Sequence, residues 1–217
     1  MFVDFYLSGN VIMNIGDGVS ARYYNPGDKV PANYQLLLTF KDESFLVFTV
    51  AMYGFISAYP DAVIDNKYYT ISRESISPLS DAYTEAEFGK LFASAKKTLT
   101  AKALLATEQR IPGVGNGVTQ DILFNAGIHP KQKVFDLSDG QKGVLFKSLK
   151  DTLMAMTSGR GRDTQTDLYG NEGGYKTILS SKTWKNPCPR CGSVIVKEAY
   201  LGGSVYYCSE CQKIRKT

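Results

Sequence analysis

Cysteine is absent from the first 187 residues of this 217-residue chain, and all four cysteines fall in the last thirty. A disulfide framework is spread over a domain rather than gathered at one end, so metal ligation is the better reading. Histidine occurs once, as His129. It stands directly before Pro130 behind a helix stop, where we read it as structural, and no Ser-His-Asp or Cys-His set is visible for nucleophilic catalysis. No apolar run approaches the roughly 18 residues needed to cross a bilayer, and the start, MFVDFYLSGN, carries neither a basic n-region nor a small-residue cleavage site. A cytoplasmic protein without membrane contact is the expectation. Repeats with a period of roughly 20 to 50 residues and low-complexity tracts are missing as well, which excludes solenoids and arrays. Net charge is small, +4, with a pI of about 8.7. Total charge therefore supports nucleic-acid binding only weakly, and its distribution matters more.

What is present is an ordinary globular composition, 43% hydrophobic and 21% charged, with enough chain to bury a core in one or two domains. The first third reads as strands. Runs from Phe2 to Leu7 and Val11 to Ile15 flank Ser8-Gly9-Asn10, and Tyr34 to Phe40 and Phe45 to Val50 flank the polar turn Lys41-Asp42-Glu43-Ser44. Four short strands form an antiparallel sheet that needs further partners to bury its faces. From Thr84 the period changes: a capping box at Thr84 to Glu87 precedes Phe88, Leu91, Phe92, Ala95 and Leu99 at helical spacing. Thr100 and Asn116 are placed to cap two further helices, the second stopping at Asn125-Ala126-Gly127. Ser138 with Gln141 caps a fourth, whose apolar stripe is Val144, Leu145, Leu149, Leu153 and Met154. The glycine-rich SGRGRDTQTDLYGNEGGY is a loop leading to the cysteines.

The strongest motif is Cys188-Pro189-Arg190-Cys191 followed by Cys208-Ser209-Glu210-Cys211. Each C-x2-C turn points two thiolates at one centre, and Val194 to Tyr207 can fold as two strands around Leu201-Gly202-Gly203-Ser204, closing a tetrahedral S4 site for one structural zinc ion. The competing redox reading expects such a pair to open a helix in a βαβ unit, which is not found here. The second motif is Lys102 to Asn116, two helices joined by Gly113-Val114-Gly115. Gly113 and Gly115 allow backbone to approach a ligand, and the amides of the helix beginning near Asn116 can bind a phosphate oxygen. The alternative is a tight interhelical turn with Asn116 only as its cap.

Lys102 to Asn116, with Asp121-Ile122-Leu123-Phe124-Asn125-Ala126-Gly127-Ile128-His129-Pro130, resembles the helix-two-turns-helix domain of formamidopyrimidine-DNA glycosylases and endonuclease VIII. The ending CPRCGSVIVKEAYLGGSVYYCSECQ resembles that family's zinc finger. The resemblance implies an α+β fold: a partial antiparallel β-sandwich over residues 1–66, a helix-two-turns-helix domain over 67–160, and a glycine-rich loop with a C-terminal zinc β-hairpin over 161–217. It implies that Lys102 and Asn116 grip phosphates around an extruded nucleotide.

The departures carry equal information. The family's finger has an arginine five residues before the third cysteine, where this chain has Gly203 followed by Ser204. Ser204, Lys197, Arg190 or backbone amides are the substitutes. Asn14 to Asp17 matches the stretch where the family carries a methionine that fills the hole left by a flipped base. Asp17 is unsuited to that task, and Met52 and Tyr53 are better wedges, the alternative being that both are core. The family's proline-glutamate start and its assisting sheet lysine would precede Met1, so the resemblance implies a chain without the segment that forms an imine with the sugar, and no catalytic residue is assigned. The expected partner is double-stranded DNA carrying damaged bases or abasic sites, bound by a monomer. The expected role is damaged-DNA binding in base excision repair as part of a bifunctional glycosylase and abasic-site lyase. A non-catalytic damaged-DNA-binding protein, or a finger and helices serving protein contacts, are the alternatives.

Overall fold

The computed structural model describes residues 2–215. The chain divides into two compact units that are not consecutive in sequence. One runs to Thr70 and also takes in Gln165–Gly173, and the other comprises Ile71–Thr164 with the chain from Gly174 onward.

The first unit holds six strands in two three-stranded antiparallel sheets. One sheet has the order β1 (Val3–Leu7), β2 (Val11–Ile15), β6 (Ile56–Tyr59), and the other β3 (Val19–Tyr24), β5 (Phe45–Val50), β4 (Leu36–Thr39). Four of these were expected; β3 and β6 supply the partners the sequence reading lacked. Met13 and Ile15 from one sheet and Leu46 and Phe48 from the other share one core, with Phe5, Val19, Ala21, Tyr23, Leu36 and Leu38 packed around it. That shared core makes the two sheets a sandwich. The glycine-rich segment adds to its edge: the Tyr23 amide donates to the Leu168 carbonyl at 2.8 Å, and the Tyr23 and Tyr169 rings meet edge-on at 5.5 Å.

Helix α1 (Lys67–Glu74), which the sequence does not signal, straddles the boundary between the units in sequence. In the second unit α2 (Glu85–Ala93) starts at Thr84, whose hydroxyl accepts the Glu87 amide. It stops six residues short of Leu99, and Ala95 and Leu99 pack against the core from a turn. Thr100 caps α3 (Ala101–Ala106) in the same way. Helix α4 (Asn116–Ala126) ends at Gly127, whose φ of 64° is the left-handed geometry glycine adopts freely. Helix α5 (Asp139–Ser158) has the full capping box of Ser138 and Gln141. Leu104, Leu105, Ile122, Leu123, Leu145 and Leu149 are buried together between α3, α4 and α5. The buried face of α5 is Leu145, Leu149, Leu153 and Met156; Val144 and Met154, placed by the sequence reading on its stripe, are half-exposed. No helix of the described residues is long and apolar enough to cross a membrane.

Leu149→Ala, at a fully buried position, should cost about 2–5 kcal/mol, whereas Val144→Ala on the half-exposed side of the same helix should change stability by under about 1 kcal/mol. Urea denaturation followed by far-UV circular dichroism checks both values, and equal losses would mean that the buried face of α5 is assigned wrongly.

Candidate nucleic-acid interface and zinc centre

The last element is a hairpin, β7 (Ile195–Tyr200) paired with β8 (Gly203–Cys208). Its two-residue turn, Leu201 and Gly202, has φ of 51° and 73°, the double left-handed turn whose twist matches that of paired strands. At its base the four cysteine sulfurs lie within 4.8 Å of one another, with Cys188 to Cys211 at 3.8 Å and Cys191 to Cys208 at 3.5 Å. A tetrahedron of sulfurs about 2.3 Å from zinc has edges of about 3.8 Å, so the cluster fits one Zn2+ ion. Four protein ligands leave no open position, which makes the ion structural. Hydrogen bonds from Ser193 draw the Cys191 thiol down to about 6, while burial pushes Cys211 up to about 12. Zinc binds thiolates, so metal binding at this cluster releases protons. Gln212 is fully buried and ties this centre to the helices: its carbonyl oxygen accepts the Cys208 amide at 3.0 Å and its Nε2 donates to the Ile128 carbonyl at 2.9 Å.

Helix α4 meets the hairpin at its other end. The residue flanking the helix start is Gly115, in extended conformation and without a capping side chain, and Asn116 is the first helical residue. This corrects the placement of Asn116 as cap. Its side-chain amide instead donates to the Ser204 carbonyl at 3.1 Å. Gln120, one turn on, donates to the same carbonyl at 3.0 Å and accepts the Tyr206 amide at 3.1 Å. The sequence reading missed Gln120, whose only local signal is its position one turn after Asn116. Gly113 has a φ of 81°, and a side-chain carbon at either Gly113 or Gly115 would touch nothing within 4 Å. The turn therefore opens onto free space beside the uncapped end of α4.

Lys102 is buried at the junction of α3 and the hairpin. It is 2% exposed, its ammonium donates to the Tyr200 carbonyl, and it lies 5.6 Å from the centre of the Tyr200 ring. Burial lowers its pKa. Through that bond the lysine fastens the hairpin to α3. Ser204 contributes its carbonyl to the same junction. Arg190 stacks over Phe124 at 4.4 Å and donates to the Asn125 carbonyl, while Lys197 lies over Trp184 at 5.2 Å; neither reaches the hairpin turn in place of the family's arginine. His129 is buried, its Nδ1 accepts the Lys131 amide at 3.0 Å, and its ring packs on Tyr207 at 4.2 Å, the structural role expected.

In the β unit, Met52 and Tyr53 sit on the turn between β5 and β6, 85% and 81% exposed, which excludes a place in the core. The Gly54 amide closes the turn on the Ala51 carbonyl, and the Ala51 amide donates to Gly18. A side-chain carbon at Gly18 would stand 2.3 Å from the Ala51 carbonyl oxygen. The turn carrying Asp17 and the turn carrying Met52 and Tyr53 thus lie backbone against backbone.

A β-sandwich unit, a helix–glycine turn–helix and a four-thiolate hairpin tied to that turn define a zinc-finger protein of the helix-two-turns-helix class. No family model matches the chain. A formamidopyrimidine-DNA glycosylase of Carboxydothermus hydrogenoformans is 31% identical over 139 residues, 63% of this chain and 52% of that protein. One of Mycoplasma mobile is 27% identical over 225 residues, 98% of this chain and 78% of that protein. The chain thus spans about half the length of the first of these curated relatives. The fold is that of Lactococcus lactis Fpg in complex with abasic-site DNA, at a TM-score of 0.78 and 19% identity over 98% of this chain and 79% of that one. A complex of the same protein with N7-benzyl-Fapy-dG DNA gives 0.79 and 20%, over 98% and 78%. In sequence the chain is similar to formamidopyrimidine-DNA glycosylases, and it shares the fold of Lactococcus lactis Fpg.

Purified protein should carry about one zinc per chain, read by elemental analysis. Cys208→Ser should lose the metal and the slow amide exchange of the hairpin while α2 to α5 keep their helicity. Four freely titratable thiols in the folded protein would contradict the zinc centre.

Proposed function

We propose that this chain grips double-stranded DNA around a damaged or abasic nucleotide, as part of a bifunctional base-excision glycosylase and abasic-site lyase. The observation that carries the reading is the shared Ser204 carbonyl, which joins the two phosphate-facing elements of the family, the glycine turn and the zinc hairpin, at one junction. The uncapped first turn of α4 offers amide donors with the positive end of the helix dipole behind them, and a duplex phosphate is the anion that suits them. Gly113 and Gly115 leave the space through which it approaches. Met52 and Tyr53 serve as the wedge: exposed apolar side chains on a tight turn can enter the stack where a base is missing or extruded. The solved complexes of Lactococcus lactis Fpg with abasic-site and modified-guanine DNA support this choice of ligand.

Binding to a duplex containing a tetrahydrofuran abasic analogue, followed by fluorescence anisotropy, tests the reading. Gly115→Ala should fold normally, because its φ of −98° suits any residue and its side chain meets open space. It should nonetheless weaken binding about tenfold, equivalent to about 1.4 kcal/mol, by filling the phosphate approach. Replacing Met52 and Tyr53 together with alanine should reduce the preference for the abasic duplex over an intact one. Unchanged affinity for Gly115→Ala would remove the glycine turn from the interface.

A further inference from the structure

Arg162 follows α5 in the second unit, and its backbone is held by pairing with Tyr175: the Asp163 amide donates to the Tyr175 carbonyl at 2.9 Å and the Tyr175 amide to Gly161 at 3.0 Å. Its guanidinium lies on the first turn of α4. A side-chain carbon at Gly117 would stand 2.3 Å from the nearer terminal nitrogen and would push the guanidinium aside. Among the described residues this guanidinium makes no hydrogen bond and no ion pair within 4.0 Å, and its Nε is wholly buried without a partner. The Thr164 hydroxyl, two residues on, is also buried and unpartnered. Both side chains line a cavity of about 210 Å3 together with Asn116, Gly117, Ser181 and Ser204, and no carboxylate is among its lining residues.

Such an arrangement is unfavourable without a ligand in three ways. A cation sits at the positive end of a helix, it is partly desolvated, and its donors are unused. The nearest acidic groups do not relieve it. Asp121 accepts the Ile178 and Leu179 amides at 2.9 and 2.8 Å, and Asp163 accepts both the amide and the hydroxyl of Thr177. Their fields reach Arg162, yet burial still lowers its pKa. One anion in the cavity would satisfy the guanidinium, the threonine hydroxyl and the free helix amides together, and guanidinium forks match phosphate oxygens in geometry.

We propose that Arg162 and Thr164, with the first-turn amides of α4, bind a phosphate group of the nucleic-acid backbone, so that the cation missing at the hairpin turn is supplied from the segment after α5. The anion chemistry stands on this cavity alone; the identification of the phosphate as DNA rests on the function proposed above.

The zinc-loaded 217-residue protein and its Arg162→Met and Arg162→Lys variants carry the test. In a salt titration with the tetrahydrofuran duplex, Arg162→Met should bind about tenfold more weakly or worse, with a log affinity against log salt slope shallower by about one unit, and Arg162→Lys should fall between. Without ligand, Arg162→Met should melt at the same temperature as the parent or higher, since an unpartnered buried charge is removed. Inorganic pyrophosphate should raise the melting temperature of the parent and not of Arg162→Met. A DNA slope unchanged in Arg162→Met overturns the backbone phosphate, and the absence of an Arg162-dependent pyrophosphate shift overturns the anion site altogether. A clear fall in ligand-free melting temperature for Arg162→Met would make the residue structural and also overturn it. Should the parent fail to bind the duplex while the Arg162-dependent pyrophosphate shift persists, the DNA reading fails and the cavity is a site for free phosphate.

Discussion

A single backbone acceptor, the Ser204 carbonyl, organises the second unit. Asn116 and Gln120 on α4 both donate to it, and Gln120 returns an acceptor to the Tyr206 amide on the same strand. Each such bond contributes about 0.5–1.5 kcal/mol net, but leaving the buried Tyr206 amide without a partner costs about 1–3 kcal/mol. The helix end and the hairpin therefore hold one geometry. On the other strand Thr100 meets the Tyr200 hydroxyl, Lys102 the Tyr200 carbonyl, and Lys131 pairs with Glu198 at 2.7 Å. Both edges of the hairpin are fastened to the helices, and the zinc centre closes its base.

Metal binding and helix packing are thereby linked. Gln212 connects the second cysteine knuckle to the chain leaving α4, and Cys188 and Cys208 pack with Phe124 and Leu179 in one buried cluster. A hairpin of this size cannot bury enough apolar surface to stand alone. The ion offsets that deficit at the base, while α4 supplies the missing face above it.

Local signals were legible in the sequence. The cysteine spacing gave the metal centre, the Ser138–Gln141 box and Thr100 gave helix starts, and Gly127 gave a stop that the backbone keeps at φ 64°. Strand β3 was missed although Val19, Ala21 and Tyr23 alternate with Ser20, Arg22 and Tyr24, a period-2 pattern that Arg22 and the short turn at Gly18 obscured. The burial of Lys102 was not legible because nothing local distinguishes a buried lysine from a solvated one; its partner Tyr200 lies about a hundred residues away. The same holds for Gln120 and Arg162, whose environments are made by β8 and by Gly117. Exposure of Met52 and Tyr53 was open in the sequence because a turn with a positive φ at Met52 looks, residue by residue, like the end of a strand.

The central claim is that the first turn of α4 and the strand it holds act as one DNA-gripping surface. Amide hydrogen exchange on the zinc-loaded protein, with and without a tetrahydrofuran-containing duplex, reads that surface directly. The account predicts slowed exchange at residues 115–118 and 203–206 together, at the same duplex concentration, with residues 145–153 of α5 unaffected. Protection that appears in one of the two segments without the other, or in neither while DNA is bound, would contradict it.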